Sequence, residues 1–203
     1  MRVSIVHLSA LMTLWLSATS CRPATSQTDA SARNSATVHA GSSSGVQPTP
    51  LILAVDEGER RRRRFAVSAP QFILKVDPQN GGSSDLTMGY EDLPPGGSIP
   101  PHWHKVADEI IFVHRGSGVV ELGTRQQSVS AGATIYIPKD VRITLRNTGT
   151  EPLSIAFFFS KPGFESFLRE MSAPEGEPFV PLSEAELRAI RERHQWHTVY
   201  ERP

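Results

Sequence analysis

The chain has 203 residues and a mass of 22.3 kDa, enough for one ordinary domain once the segments with little to bury are set aside. Its 21 basic side chains balance 21 acidic ones at a pI near 7.1, so there is no whole-chain field to attract nucleic acid. A single cysteine excludes an intrachain disulfide framework and a Cys-based zinc finger, and no apolar run reaches the roughly 18–20 residues of a membrane-spanning helix.

Residues 1–20 read as an export signal. Arg2 precedes a mostly apolar stretch from Val3 to Leu16, and the small residues Ala18, Thr19 and Ser20 lead to Cys21. A lone cysteine at the end of such a leader resembles a bacterial lipobox, in which the cysteine thiol is lipidated after cleavage. Ala18 stands where that pattern most often has Leu. The alternative is ordinary cleavage after Ser20, which leaves Cys21 a free thiol. Residues 21–50 are Ser, Thr, Ala, Gly and Pro with almost nothing to bury, which predicts a flexible tether. Together these features place the protein in the periplasm or outer cell envelope, meeting the membrane through a lipid anchor only.

Residues 51–64 form a charged lead-in that ends in five arginines, Arg60 to Arg64. The run reads as a solvated segment partly neutralised by Asp56, Glu57 and Glu59, or else as a patch for anionic head groups.

From residue 65 to 160 short β-type runs alternate with Gly and Pro punctuation. The runs are Phe72–Val76, Glu109–Val113, Val119–Leu122, Thr134–Ile137, Val141–Leu145 and Leu153–Phe159. Many short strands at this spacing predict an all-β sandwich or barrel. Residues 161–203 predict two short C-terminal helices. Phe164, Phe167, Leu168 and Met171 make an apolar stripe ending before Pro174. Ser183 and Glu186 form a capping box, with Leu182 and Leu187 placed as its hydrophobic staple, ahead of a helix running towards Arg193. His194 and His197 have no third ligand in view and read as surface or packing residues.

The chemistry concentrates between Gly96 and Gly116. On an extended chain His102 and His104 share one face and Trp103 takes the other. With Glu109 they supply the two-histidine, one-carboxylate donor set that suits divalent transition metals and leaves coordination positions open. Glu109, Ile111 and Val113 share a face, while Ile110, Phe112 and His114 share the opposite one, so His114 points away from the site.

This stretch resembles the first motif of the cupin superfamily: a glycine, five residues, His-x-His, three or four residues, a glutamate, six residues and a glycine. Gly96, His102, His104, Glu109 and Gly116 fit every position. Gly132, Pro138 and Asn147 fall at the spacing of the second motif, but Asp140 replaces a glycine and Ile143 replaces a histidine that would be the fourth ligand. The resemblance implies a double-stranded β-helix, the cupin jelly-roll barrel, often assembled as a homodimer. It places a metal (Fe, Mn, Ni, Cu or Zn) on His102, His104 and Glu109, in a pocket lined by Ile111, Val113 and Ile143. It also implies a small-molecule ligand or substrate. Beside a purely structural or partner-binding domain, two functions stay open. One is a metal-dependent, dioxygenase-like enzyme similar to single-domain quercetin-dioxygenase-type cupins, in which Glu109 is also a candidate base. The other is a non-catalytic lipoprotein that binds a small molecule or metal through a degenerate site.

Overall fold

The computed structural model describes residues 49–65 and 70–201. The signal peptide, Cys21 and nearly all of the tether lie outside the described residues. The folded part begins with β1 (Glu59–Arg63), β2 (Gln71–Val76), β3 (Thr87–Leu93), β4 (Ser98–His104) and β5 (Glu109–Arg115). It continues with β6 (Ser117–Leu122), β7 (Arg125–Ser130), β8 (Thr134–Ile137), β9 (Ile143–Asn147) and β10 (Leu153–Phe159). The chain then runs through α1 (Phe164–Glu170), β11 (Ser172–Pro174), α2 (Glu184–His194) and β12 (Thr198–Tyr200). Among the described residues no helix is long and apolar enough to cross a membrane.

The strands make two antiparallel sheets, a seven-stranded one in the order β11-β1-β2-β3-β10-β5-β8 and a five-stranded one in the order β12-β4-β9-β6-β7. Alternation in the sequence decides which residues enter the core between them. On β5 Glu109, Ile111 and Val113 are buried while Ile110, Phe112 and His114 are exposed. On β9 Ile143 and Leu145 are buried and Arg146 is exposed. Phe72, Leu74, Leu93, Ile135, Ile137, Leu153, Ile155, Phe157 and Phe159 complete the barrel core. Burying each such side chain is worth about 1.5–3 kcal/mol. The outer face of the larger sheet keeps an apolar patch. Ile110 opposes Phe158 and Tyr136, and all three are exposed, with exposed Phe112 two residues along β5.

The punctuation residues act where the sheets turn. Gly116, between β5 and β6, has φ +84°, and a Cβ there would meet the Pro152 carbonyl oxygen at 2.5 Å. Asp140 stands where the motif has a glycine and adopts φ 63°, a left-handed conformation that Asp tolerates better than most residues. Asn147 is buried, and its amide bonds three backbone groups, one at the end of β3 and two in the turn after β9. It donates to the Leu93 and Glu151 carbonyls and accepts from the Gly149 N–H.

Two expectations need correction. The arginine run is not a solvated lead-in: Glu59–Arg63 is β1, paired with β2 on one side and β11 on the other. Its side chains are engaged, Arg61 with Glu59 and Ser172, Arg62 over the Phe179 ring, Arg63 with Glu91, and Arg64 with the Val180 carbonyl. Helices α1 and α2 form as expected, and Ser183 and Glu186 make both bonds of the capping box. The C-terminal segment, however, also adds a strand to each sheet, β11 and β12. Of the two readings of His194 and His197, packing holds: both are buried, against Phe167 and Phe164 respectively.

Candidate metal centre

Strand β4 ends at His104 in the smaller sheet and β5 begins at Glu109 in the larger one, so residues 105–108 cross between sheets within the motif. The crossing is held at its ends by short bonds. Lys105 N–H donates to the His197 carbonyl (2.8 Å), Asp108 N–H to Ser160 Oγ (2.9 Å), and Asp140 N–H to the His104 carbonyl (2.8 Å). The histidines and the glutamate are therefore neighbours in sequence but come from opposite sheets of the barrel.

His102, His104 and Glu109 are all buried, and one donor atom from each lies within 4.8 Å of the others. His102 Nδ1–H donates to the Pro100 carbonyl (2.8 Å), which leaves Nε2 with its lone pair. His104 Nδ1 is bonded to Thr198 Oγ1 (2.8 Å). Its Nε2 sits 3.2 Å from Glu109 Oε2, yet both atoms are buried without a hydrogen-bond partner among the described residues. Phe159 and Phe164 pack edge-on against the His104 ring.

This surrounding is hostile to charge. Burial, reinforced by the neighbouring His104, pulls His102 down to about 4. Burial alone takes His104 to about 3. Burial pushes the Glu109 carboxyl up to about 7, against the opposing pull of His102. Two imidazole lone pairs and a carboxylate oxygen gathered in a dry space, two of the atoms unpartnered, are a donor set that a divalent cation would satisfy.

The other residues singled out in the sequence separate from this cluster. Ile143 is the strand partner of His102 on β9 and is fully buried, so the fourth-ligand position holds a packed aliphatic side chain. Ile111 and Val113 are likewise packed into the core, and the pocket expected from these three is filled by their own side chains. A cavity of about 130 Å³ instead lies beyond Tyr200, lined by Arg63, Glu91, Ser98, Pro100, Met171 and Arg191 among others. The Tyr200 ring stacks on His102 at 5.1 Å and separates it from that cavity. His114 is exposed, packed edge-on against Tyr90. Sequence reasoning missed Thr198 and Tyr200. Their only signal was the β-type triplet Thr198-Val199-Tyr200, too short to be recognised as a strand.

A two-sheet antiparallel barrel carrying a buried His-His-Glu cluster at a sheet crossing defines a class of small β-barrel proteins with a potential metal site. The cupin-domain family model matches residues 89–159, which run from β3 through β10. Protein SchB of Streptomyces halstedii is 30% identical over 106 residues, 52% of this chain and 74% of that protein. Polyketide synthase CurC of Streptomyces cyaneus is 28% identical over 111 residues, 55% of this chain and 70% of that protein. Among solved structures, one described as a predicted oxalate decarboxylase of Thermotoga maritima aligns with a TM-score of 0.49 at 17% identity, covering 55% of this chain and all of that one. The chain belongs to the cupin family.

Proposed function

We propose that the protein is an exported, lipid-anchored cupin that holds a divalent transition metal on His102, His104 and Glu109 and acts on a small organic molecule. The observation that carries this reading is the pair of buried, unpartnered atoms, His104 Nε2 and Glu109 Oε2, 3.2 Å apart beside His102. A bound ion of this kind supplies a Lewis acid or redox centre with open positions. The protein's own part is to hold the donors still and keep water away. The Pro100 carbonyl fixes the His102 tautomer, Thr198 supports His104, and Phe159 and Phe164 wall the site. The apolar outer patch around Ile110 and Phe158 supports assembly as a homodimer. Export and anchoring rest on the leader and Cys21 alone.

A second reading, a non-catalytic binding lipoprotein, is favoured by Ile143 at the fourth-ligand position. Metal analysis of the full chain, purified without added metal or a His-tag, is the deciding experiment. Near-stoichiometric iron, manganese, nickel, copper or zinc, lost in a His102→Ala/Glu109→Ala variant, supports the metal site and justifies oxygen-uptake screening. No metal, even after reconstitution with each ion, sinks it. Metal binding with ligand retention and no turnover would favour the second reading.

A further inference from the structure

Strand β12 lies outside the segment matched by the cupin family and pairs directly with the strand that carries both histidines. Its register sets Thr198 opposite His104 and Tyr200 opposite His102. Two backbone bonds pin it beyond the ladder, Lys105 N–H to the His197 carbonyl (2.8 Å) and Glu201 N–H to the Pro101 carbonyl (3.0 Å). Each histidine of the cluster is thus backed by one side chain of the C-terminal segment, Tyr200 stacked on His102 and the Thr198 hydroxyl bonded to His104.

The Thr198 hydroxyl has a second partner. His197 Nδ1 also lies 2.8 Å from Thr198 Oγ1, while His197 Nε2 is buried without a partner. The His197 ring stays in place because Phe164 stacks on it and Trp196 and Phe159 meet it edge-on. A hydroxyl has one proton to give and two lone pairs to accept with, so neutral rings allow three proton orders. The one in which both rings donate leaves the buried Thr198 O–H without an acceptor among the described residues, and two orders satisfy every proton. In the first, His104 Nδ1–H donates to Thr198 Oγ1 and Thr198 O–H donates to His197 Nδ1. In the second the direction reverses and the His104 proton sits on Nε2. Each ring carries one proton in either order, so exchange between them takes up and releases none. Only the first leaves His104 Nε2 with a lone pair aimed at the cluster.

We propose that Thr198 and His197 are positioning residues forming a hydrogen-bond relay that selects the metal-binding tautomer of His104, so that loading the site fixes the proton of His197 on Nε2. This rests on the metal reading above and deepens it. The C-terminal segment then completes a site whose ligands all lie within the family-matched barrel. Supports of this kind typically contribute about 10–100-fold in metal affinity.

The test uses the full chain, stripped of metal by a chelator and titrated with Co(II) alone, reading affinity and the visible spectrum against a His102→Ala/Glu109→Ala blank. Thr198→Val, nearly the same shape without the hydroxyl, is expected to bind Co(II) about 10–100-fold more weakly, and Thr198→Ser to stay within about threefold of the native chain. In the zinc-loaded native chain, long-range proton–nitrogen NMR is expected to show His104 protonated on Nδ1 and His197 on Nε2. Native affinity in Thr198→Val, equal loss in the serine variant, or His197 protonated on Nδ1 in the zinc form would each overturn the relay. The NMR readout needs no variant, so misfolding of Thr198→Val does not shield the proposal. A native chain no better than the blank defeats the metal reading and the relay with it. A native chain that binds while the variants match it defeats the relay alone.

Discussion

The barrel buries two polar clusters with opposite endings. At one, the Arg63 guanidinium holds both carboxylate oxygens of Glu91 at 2.9 and 2.8 Å and covers the Phe72 ring. Burial works against the Arg63 charge, but the Glu91 carboxylate outweighs it and raises the pKa. At the other, His104 Nε2 and Glu109 Oε2 face each other unpartnered, and burial drives both groups towards their neutral forms. The fork geometry of arginine closes a pair by itself, whereas imidazole lone pairs and a carboxylate leave acceptors that need a cation. One cluster is complete within the chain, and the other is built for something added to it.

The largest effect expected from this contrast is at the closed pair. Glu91→Ala should cost about 3–5 kcal/mol in urea unfolding, because it strands a buried guanidinium. Glu109→Ala in the metal-free protein should be near neutral or stabilising, since it removes an unpaired group. Equal losses in the two variants would break the comparison. Next in size, a divalent metal at about a hundred times its dissociation constant should stabilise the native chain by about 2.7 kcal/mol. Calorimetry should find no such gain in His102→Ala/Glu109→Ala.

A smaller effect concerns pH in the metal-free chain. His102 and His197 (about 4) and His104 (about 3) stay neutral in the fold, while the same groups near 6.5 when unfolded take up protons. Their contribution is present above pH 6.5 and is lost as pH falls towards 4. Glu109, at about 7 against 4.5 unfolded, acts the other way: its contribution is present below pH 4.5 and is lost as pH rises through 7. Three groups oppose one, so stability should climb from pH 4.5 through 6.5 and level off above about pH 7, where the remaining histidine gain and the Glu109 loss nearly cancel. Urea midpoints at pH 5 equal to those at 6.5 would contradict this. Smallest is an exposed, satisfied cluster for calibration. Ser183→Ala breaks the α2 capping box and should lower the thermal stability by about 1 kcal/mol.

How much of this was legible depended on distance along the chain. His102, His104 and Glu109 stand within eight residues of one another, and their sharing of a burial face follows from strand parity, so the cluster could be read directly. The capping box of α2 and the apolar stripe of α1 were legible for the same reason, since both are patterns within a few residues. The strand nature of Glu59–Arg63 was hidden because five arginines look solvated until Glu91, Ser172 and the Val180 carbonyl meet them from distant segments. Likewise Ile111, Val113 and Ile143 were correctly placed inward, but whether inward means pocket or core depends on what packs opposite. Leu145, Ile155 and their neighbours fill that space.

The sequence by itself determined the barrel class, the inward and outward faces of its strands, the helix ends and the three candidate ligands, because period-two alternation, turn glycines and capping side chains act locally. Tertiary structure alone decided that the ligands straddle two sheets, that the arginine run is a strand of the larger sheet between β11 and β2, and that Thr198, Tyr200 and His197 stand behind the histidines. Those placements come from strand register between segments about a hundred residues apart, Thr198 against His104 and Ser172 against Arg63. Register between distant strands is set by the packing of the whole core rather than by local residue preference.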